Sequence, residues 1–312
     1  MSILKLTPAG KDYLWGGTRL ITEYGKSFPW DKLAETWELS CHPDGQSVVT
    51  EGEFSGKTLN EYIKEKGSSV LGSKCKDMEQ FPLLIKFIDA KEDLSIQVHP
   101  TDEYALKYEG QYGKTEAWYI IDTKPDAFIY HGFNRTITKE EFIRRIEEKT
   151  LPEVLNKVKT KKGDVFFIPP GTIHAIGGGN LIAEIQQNSN VTYRVFDYGR
   201  VGADGKEREL HIDKAVAVTT CTPPQSCPVD GNHLISCEHF NVNKIILDSS
   251  QNKVVDRTDG TSFVSILVLK GSGMVSSGQD KVTLQKGDSI FIPADTGDFQ
   301  IEGELELLLT RM

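Results

Sequence analysis

The sequence predicts a fold dominated by β-structure, with two similar β-units in tandem and helical insertions. Most of the 312 residues form short β-branched and aromatic runs separated by Gly, Pro, Asn and Asp. This pattern is typical of β-sandwiches and barrels. The clearest predicted strands lie at residues 81–88, 117–121, 164–168, 182–185 and 262–269.

Two segments depart from the strand pattern and predict helical insertions, at about 57–79 and 138–158. The first contains a helical pattern over residues 58–66. In the second, Thr138 precedes Glu141 by three residues, which predicts a capping box at a helix start. The apolar residues with helical spacing in this segment are Phe142, Ile143, Ile146, Leu151, Val154 and Leu155. We expect this helix to be a lid or a packing insert without a catalytic role.

A weak internal repeat relates two segments 124 residues apart. KKGDVFFIPPGTIHAI begins at Lys161, and QKGDSIFIPADTGDFQI begins at Gln285. The shared G-D-x-x-x-I-P pattern resembles the second motif of cupins, small jelly-roll barrels that often hold one metal. The repeat therefore predicts two tandem cupin-like jelly rolls, over residues 1–225 and 226–312, with the boundary in the Pro-rich loop 222–232. Asp298 stands where the first copy has His174, so only the first unit is predicted to bind metal.

Composition disfavours several classes of partner. The formal net charge of −9 disfavours nucleic acid and anionic membranes, because both require a basic surface. A local cluster of Lys and Arg could still hold a small anionic substrate. The start of the chain has no secretory signal pattern, and no apolar run is long enough for a membrane helix, so we expect a cytoplasmic protein. The five cysteines, Cys41, Cys75, Cys221, Cys227 and Cys237, are widely spaced and predict reduced, structural thiols.

Four residues in the first unit form a candidate metal site. Gln97 and His99 are two residues apart on a predicted strand, so their side chains leave the same face. Glu116 begins a later strand, and His174 follows the Pro169-Pro170-Gly171 turn. Two imidazoles and a carboxylate suit zinc, with one ion expected per chain, although nickel, cobalt, manganese or iron accept the same ligands.

Most other candidates have an ordinary structural interpretation. A single histidine is more often a packed or surface residue than a ligand, and Trp15 and Trp37 are expected to anchor the core. The histidines interpreted in this way are His42, His131, His211, His233 and His239.

At these residues the chain resembles the type I mannose-6-phosphate isomerases of the short bacterial form. The specific block is LSIQVHPTDEYA, from Leu94 to Ala105. Other matching motifs along the chain are Tyr13-Leu-Trp-Gly-Gly17, Ala34-Glu-Thr-Trp-Glu38, Pro82-Leu-Leu-Ile-Lys86, Gly113-Lys-Thr-Glu116, Gly171-Thr-Ile-His174 and Tyr193-Arg-Val-Phe196. The resemblance implies zinc ligands at Gln97, His99, Glu116 and His174, a catalytic arginine at Arg194 and an active-site glutamate at Glu184.

The chain differs from the longer members at two places. Lys114-Thr115-Glu116 replaces their Lys-Pro-Glu, which keeps the lysine and the ligand. Val195-Phe196-Asp197-Tyr198 replaces the Ala-Gly that follows their arginine. The contacts immediately downstream of Arg194 therefore cannot be carried over from the resemblance.

The implied reaction interconverts mannose-6-phosphate and fructose-6-phosphate by moving a proton between C1 and C2 through a cis-enediol(ate). It requires a base, polarisation of the sugar oxygens and stabilisation of negative charge. Glu184 or a metal-bound water is the candidate base, and Arg194 stabilises charge or anchors an anionic group. Lys86 and Lys114 either bind phosphate or join the proton transfer, and the sequence does not separate these roles.

Two other functions fit parts of the pattern. A cupin oxygenase would use similar ligands with iron, but Gln97 argues against it. A non-catalytic sugar-phosphate sensor would keep the barrel, but the presence of Arg194, Glu184 and Lys114 disfavours it. The metal used in the cell, the range of sugars, the pathway and the oligomeric state stay open, with a monomer or weak homo-oligomer expected.

Overall fold

The structure, a computed structural model, describes residues 2–201, 205–225 and 229–312. Over these residues the chain forms 22 β-strands, five α-helices and three 3-10 helices. The strands of the first part are β1 (Leu4–Thr7), β2 (Ala9–Lys11), β3 (Glu35–Leu39), β4 (Cys41–His42), β5 (Gly45–Gln46), β6 (Val48–Val49), β7 (Leu83–Ala90), β8 (Ile96–Val98), β9 (Glu116–Thr123), β10 (Phe128–Phe133), β11 (Leu155–Lys159), β12 (Val165–Ile168), β13 (His174–Ile176), β14 (Asn180–Gln187) and β15 (Tyr193–Phe196). Those of the second part are β16 (His233–Ser236), β17 (Asn241–Leu247), β18 (Lys253–Thr258), β19 (Val264–Ser277), β20 (Asp280–Gln285), β21 (Ser289–Ile292) and β22 (Gly297–Arg311). The α-helices are α1 (Arg19–Thr22), α2 (Leu59–Lys66), α3 (Asp102–Tyr108), α4 (Lys139–Glu147) and α5 (Ile212–Val218), and the 3-10 helices span Ser68–Leu71, Ser73–Cys75 and Leu151–Val154.

Two antiparallel sheets hold most strands of the first part of the fold, and β4 and β5 form a separate two-stranded sheet. One has the strand order β12-β9-β14-β7-β3-β2, and the other has the order β11-β10-β13-β8-β15. The predicted dominance of β-structure is confirmed. Division of the chain into two barrels, at residue 225, stays a prediction.

The central strands β7 and β14 are buried along their whole length. Because side chains alternate along a strand, Leu83, Ile85 and Phe87 pack into the largest apolar core. Lys86 and Ile88 leave the opposite face of β7 and line a cavity. The same alternation in β14 places Glu184 in that cavity.

A third, nine-stranded sheet contains the C-terminal strands and also two from the start of the chain. Its main path is β16-β17-β22-β19-β21-β1-β6, with β18 on β22 and β20 on β19. Strand β1 pairs antiparallel with β21, through Leu4 opposite Phe291. Strands from both sides of residue 225 therefore share one sheet.

The internal repeat has matching local geometry in both copies. Gly163 and Gly287 have φ angles of 90° and 92°, which glycine adopts without a steric penalty. The Asp164 carboxylate accepts from the Lys161 backbone N–H at 2.7 Å, and Asp288 accepts from Gln285 N–H at the same distance. Each turn leads directly into a four-residue strand, β12 or β21. The predicted turn-and-strand repeat is confirmed.

The predicted helix over residues 138–158 was too long. Helix α4 ends at Glu147, a 3-10 helix follows at Leu151–Val154, and residues from Leu155 onward form β11. Lys149 has a φ of 58°, which no α-helical residue adopts, and Pro152 cannot donate a helical hydrogen bond. The apolar spacing reflected burial in three different elements.

The two predicted helix starts differ in their caps. Thr138 accepts from the Glu141 N–H, but the Glu141 carboxylate pairs with Arg135, so the predicted box is only half formed. The complete capping box lies at α2, where Thr58 accepts from Glu61 N–H and the Glu61 carboxylate accepts from Thr58 N–H.

Cys41, Cys75 and Cys221 are unpaired thiols, and the Cys237 thiol donates to the Phe240 carbonyl. Cys227 lies outside the described residues, as does part of the predicted boundary loop. None of the helices in the described ranges is long and apolar enough to cross a membrane.

Candidate active site

The four predicted metal-site residues come together between the two sheets of the first part: His99, Glu116 and His174 form a buried group, and Gln97 lines the cavity beside it. Gln97 is central in β8, where it pairs with His174 of β13 on one side and Arg194 of β15 on the other. His99 follows β8 directly, and Glu116 is the first residue of β9 in the facing sheet. The strand pairing therefore assembles residues that lie far apart in sequence.

Hydrogen bonds aim both imidazoles at the carboxylate. His99 Nδ1 bonds to the Val191 carbonyl at 2.9 Å, and His174 Nδ1 bonds to the Thr172 carbonyl at 2.8 Å. Each Nδ1 carries the hydrogen, because a carbonyl accepts only, and each Nε2 is the unprotonated nitrogen of its ring. These Nε2 atoms lie 3.4 Å and 3.3 Å from the two carboxylate oxygens of Glu116.

His99, Glu116 and His174 fit a metal ion. Their ligand atoms lie within 4.8 Å of one another, and all three side chains are fully buried. Glu116 Oε1 is buried without a hydrogen-bond partner, which is unusual for a buried carboxylate. In the part of the chain that the structure describes, this is the one such cluster of three or more His, Cys, Asp or Glu residues. Among the described residues 229–312 there is no such group, and Asp298 lies at the surface beside Arg257.

Gln97 lies at the edge of this cluster. Its Nε2 is 3.4 Å from His174 Nε2, and its Oε1 is 3.4 Å from the Ser95 hydroxyl. The amide oxygen is the atom that would bind a metal, and rotation of the amide brings it to the imidazole side.

Electrostatics keep the cluster in the protonation states that a metal requires. Burial, reinforced by the Lys114 ammonium, lowers the pKa of His99 to about 3, and burial lowers that of His174. Burial alone would raise the pKa of Glu116, but Lys114 and the two imidazoles outweigh it and hold the pKa well below its ordinary range. The imidazoles are therefore neutral and the carboxylate is charged at neutral pH.

Lysines and glutamates alternate along the floor of the cavity. Lys114 Nζ lies 2.7 Å from Glu116 Oε2, 3.2 Å from His99 Nε2 and 3.9 Å from Glu184 Oε1. Lys86 Nζ lies 3.0 Å from Glu184 Oε1 and 3.5 Å from Glu35. The three predicted residues Lys86, Lys114 and Glu184 thus form one buried charge network beside the metal cluster.

Two arginines line one wall of the cavity, whose volume is about 260 Å³. Arg194 donates from Nη1 to the Glu209 carbonyl at 2.8 Å, and its Nε is buried without a hydrogen-bond partner. Asp197 instead pairs with Arg208 and Arg200. Burial and the nearby Arg208 lower the pKa of Arg194. Both guanidinium groups line the cavity, and paired guanidinium donors suit an anion.

A family model for the catalytic domain of type I phosphomannose isomerase matches residues 3–131, and one for the mannose-6-phosphate isomerase cupin domain matches residues 230–312. The mannose-6-phosphate isomerase ManA of Bacillus subtilis (strain 168) is 41% identical over 315 residues, covering 98% of this chain and 97% of that protein. The chain belongs to the type I phosphomannose isomerase family. The predicted resemblance is confirmed, and so is the prediction that the protein is an enzyme.

Other relatives and solved structures agree with this assignment. The mannose-6-phosphate isomerase of Streptococcus mutans is 36% identical and covers 95% of this chain and 93% of that protein. The crystal structure of the Bacillus subtilis mannose 6-phosphate isomerase covers 100% of both chains, with 37% identity and a TM-score of 0.92. A putative mannosephosphate isomerase from Archaeoglobus fulgidus, 22% identical with a TM-score of 0.81 over 99% of this chain and 97% of that one, shares the fold.

Sequence reasoning missed several residues that line this cavity. Glu35, Arg208, Tyr13 and Asn190 line the cavity. Trp15 is buried in an apolar core cluster, as predicted, and also lines the cavity. Trp118, whose indole donates to Glu184 at 2.9 Å, could have been found from the two-residue alternation in β9, which puts it on the same face as Glu116. Arg208 has no local signal, because only the fold brings residues 194 and 208 to one wall. Trp37 is fully buried, as predicted.

One of the remaining histidines, His42, is buried, and its ionisation is expected to make the stability of the protein depend on pH. Burial lowers the pKa of His42 below its ordinary value of about 6.5, and its Nδ1 accepts from the Asp44 N–H. As the pH falls, His42 is therefore protonated in the unfolded chain before it is protonated in the folded protein. The stability that neutral His42 contributes is complete above pH 6.5 or so and is lost as the pH falls below it.

We expect the unfolding temperature of wild-type protein to fall more steeply between pH 7 and pH 5 than that of His42→Asn. Asparagine keeps an acceptor for the Asp44 N–H but does not titrate. Thermal unfolding at a series of pH values tests this expectation, and parallel curves for the two proteins would contradict it.

Proposed function

We propose that this chain interconverts mannose-6-phosphate and fructose-6-phosphate with the help of one bound zinc ion. The observation that carries the proposal is the position of Glu184, a buried carboxylate between two lysines at the floor of the cavity. The His99, Glu116 and His174 cluster contacts Lys114 and Gln97, which line the cavity together with the two arginines, so the proposed base, metal site and anion site lie next to one another.

His99, Glu116 and His174 would hold the zinc ion, with Gln97 as a fourth ligand through its amide oxygen. When bound, zinc would act as a Lewis acid that polarises and orients the oxygens of the sugar. The nitrogen and oxygen donor set is one that zinc accepts.

Glu184 is the proposed base. In the open-chain aldose, it takes the proton from C2, the C–H electron pair forms the C1–C2 double bond, and O1 takes up a proton to complete a cis-enediol. The O2 hydroxyl then loses its proton, C2 becomes a carbonyl, and C1 receives a proton to form the ketose. C2 is oxidised and C1 is reduced within the same molecule, so no external oxidant or reductant is required.

The lysines and arginines supply positive charge to this reaction. Lys114 and Lys86 lie next to Glu184 and can donate to the sugar oxygens or attract the phosphate. Arg194 and Arg208 are proposed to bind the phosphate, because a guanidinium offers paired donors to an anion. Arg194 also remains a candidate for stabilising negative charge on the enediolate.

We further propose that the protein works in the cytoplasm as a monomer or a weak homo-oligomer, built from two cupin-like jelly rolls. The unpaired thiols of Cys41 and Cys75 favour a reducing compartment.

A coupled assay that follows fructose-6-phosphate formed from mannose-6-phosphate tests the activity. Zinc-loaded protein is expected to turn the substrate over, chelation is expected to abolish turnover, and added zinc is expected to restore it. No turnover in zinc-loaded protein would refute the isomerase proposal and favour a sugar-phosphate sensor. Consumption of O₂ by the iron-loaded protein would instead favour an oxygenase.

A further inference from the structure

Glu35 is a buried carboxylate in the cavity that the reaction proposed above does not use. It is the first residue of β3, and only 7% of its surface is exposed. Its Oε2 accepts a hydrogen bond from the Trp37 indole at 2.7 Å. Because buried carboxylates are costly unless they are paired, this position requires a compensating charge.

Lys86 supplies that charge and shares it with Glu184. Its Nζ lies 3.5 Å from Glu35 Oε2 and 3.0 Å from Glu184 Oε1. Burial alone would lower the pKa of Lys86, but Glu184 and Glu35 outweigh it and raise the pKa above its ordinary value. One ammonium group therefore bridges two carboxylates.

The two carboxylates are held in equivalent ways. Glu184 Oε2 accepts from the Trp118 indole at 2.9 Å, much as Glu35 accepts from Trp37. The strands set this arrangement, since Lys86 lies opposite Glu184 across the β7–β14 pair and opposite Trp37 across the β3–β7 pair. Glu35 and Glu184 thus approach the ammonium from different strands, on either side of β7.

We propose that Glu35 is a positioning residue for the proton transfer. It keeps the Lys86 ammonium between the two carboxylates, so that Glu184 stays oriented towards the substrate and is only partly paired with the lysine. The inference rests on the proposed function, in which Glu184 takes the substrate proton. Without the charge of Glu35, Lys86 pairs with Glu184 alone. Glu184 must then break a tighter ion pair with Lys86 to accept the proton. Its carboxylate is also drawn towards the Lys86 ammonium and away from the substrate.

Glu35→Gln removes the charge while keeping the size of the side chain and an acceptor for the Trp37 indole. We expect kcat to fall by about 10- to 100-fold, the range for a misplaced catalytic group, while KM stays within about threefold. The kinetic isotope effect with substrate deuterated at C2 should increase, because proton transfer becomes more strongly rate-limiting. Zinc content should not change.

A double-mutant cycle with Lys86→Met tests whether Glu35 acts through the lysine. If it does, Glu35→Gln reduces kcat little further in the Lys86→Met background. Fold-losses that multiply in the double variant would overturn the proposal. A kcat equal to that of wild type, or a loss that appears only in KM, would also overturn it.

Glu38→Gln is the matched control. Glu38 lies on the same strand and is fully buried, but it pairs with Lys26 at 2.6 Å, outside the cavity. We expect this variant to lower the unfolding temperature while leaving kcat and the isotope effect near their wild-type values. Equal losses of kcat in Glu35→Gln and Glu38→Gln would show a merely structural role and overturn the proposal.

Glu35→Asp provides a second variant if Glu35→Gln does not fold. It keeps the charge but shortens the reach to Lys86, so a smaller loss of kcat is expected, again without a change in KM. Wild-type kcat in this variant overturns the proposal. Failure of the proposed function gives a different result, because zinc-loaded wild-type protein would then be inactive or Glu184→Gln would remain fully active.

Discussion

Replacing Glu184 by glutamine is expected to lower kcat for mannose-6-phosphate by about 10²- to 10⁴-fold, the contribution of a positioned general base. Glutamine keeps the size of the side chain and can still accept from the Trp118 indole, which donates to Glu184 at 2.9 Å. It cannot take up the C2 proton, so the loss should fall on kcat and leave KM nearly unchanged. Steady-state kinetics of zinc-loaded protein measure both quantities.

Glu306→Gln is a suitable control for this substitution. Glu306 also accepts from an aromatic side chain of β9, the Tyr119 hydroxyl at 2.8 Å, but it does not line the cavity that holds Glu184. We expect its kcat to match wild type. A Glu184→Gln variant with wild-type kcat would exclude Glu184 as the base.

Replacing His174 by alanine is expected to weaken zinc binding by more than about 100-fold and to abolish turnover. Loss of an outer hydrogen-bonding partner already costs 10- to 100-fold in metal affinity, and loss of a ligand removes a bond to the metal itself. Glu116 would lose the imidazole that lies 3.3 Å from its Oε1. Zinc content after dialysis and competition with a chelator measure the affinity, and the coupled assay measures turnover.

His131→Ala is the matched control for the metal prediction. His131 lies directly opposite His174 across the β10–β13 pair, but its Nε2 bonds to the Phe167 carbonyl at 3.1 Å. This variant should keep its zinc. If His174→Ala retained zinc with wild-type affinity, the proposed ligand set would be wrong.

Several features of the fold and the site could be predicted from local sequence. The glycine and aspartate of the repeated turn predicted the same conformation at Gly163 and Gly287, because positive φ and an aspartate-bonded turn are local properties. The LSIQVHP block identified Gln97 and His99 as candidate ligands, and the family resemblance added Glu184 and Arg194.

Other features depended on the tertiary structure. Helical spacing over residues 138–158 predicted one helix, but the structure has a helix, a 3-10 helix and a strand there. Each of these elements buries some of the apolar residues, and together they give a spacing similar to that of a single helix. The pairing of β1 with β21 joins the two ends of the chain, and no local pattern encodes such a partner.

By itself, the sequence determined the family, the β-dominated fold and the set of candidate metal and proton-transfer residues. Only the tertiary structure decided that Lys86 lies between Glu184 and Glu35, and that Arg208 shares a wall with Arg194. The physical reason is that these charges meet across different strands and loops. Their distances, and therefore their energies, depend on strand register and burial, which residue identity and spacing alone do not specify.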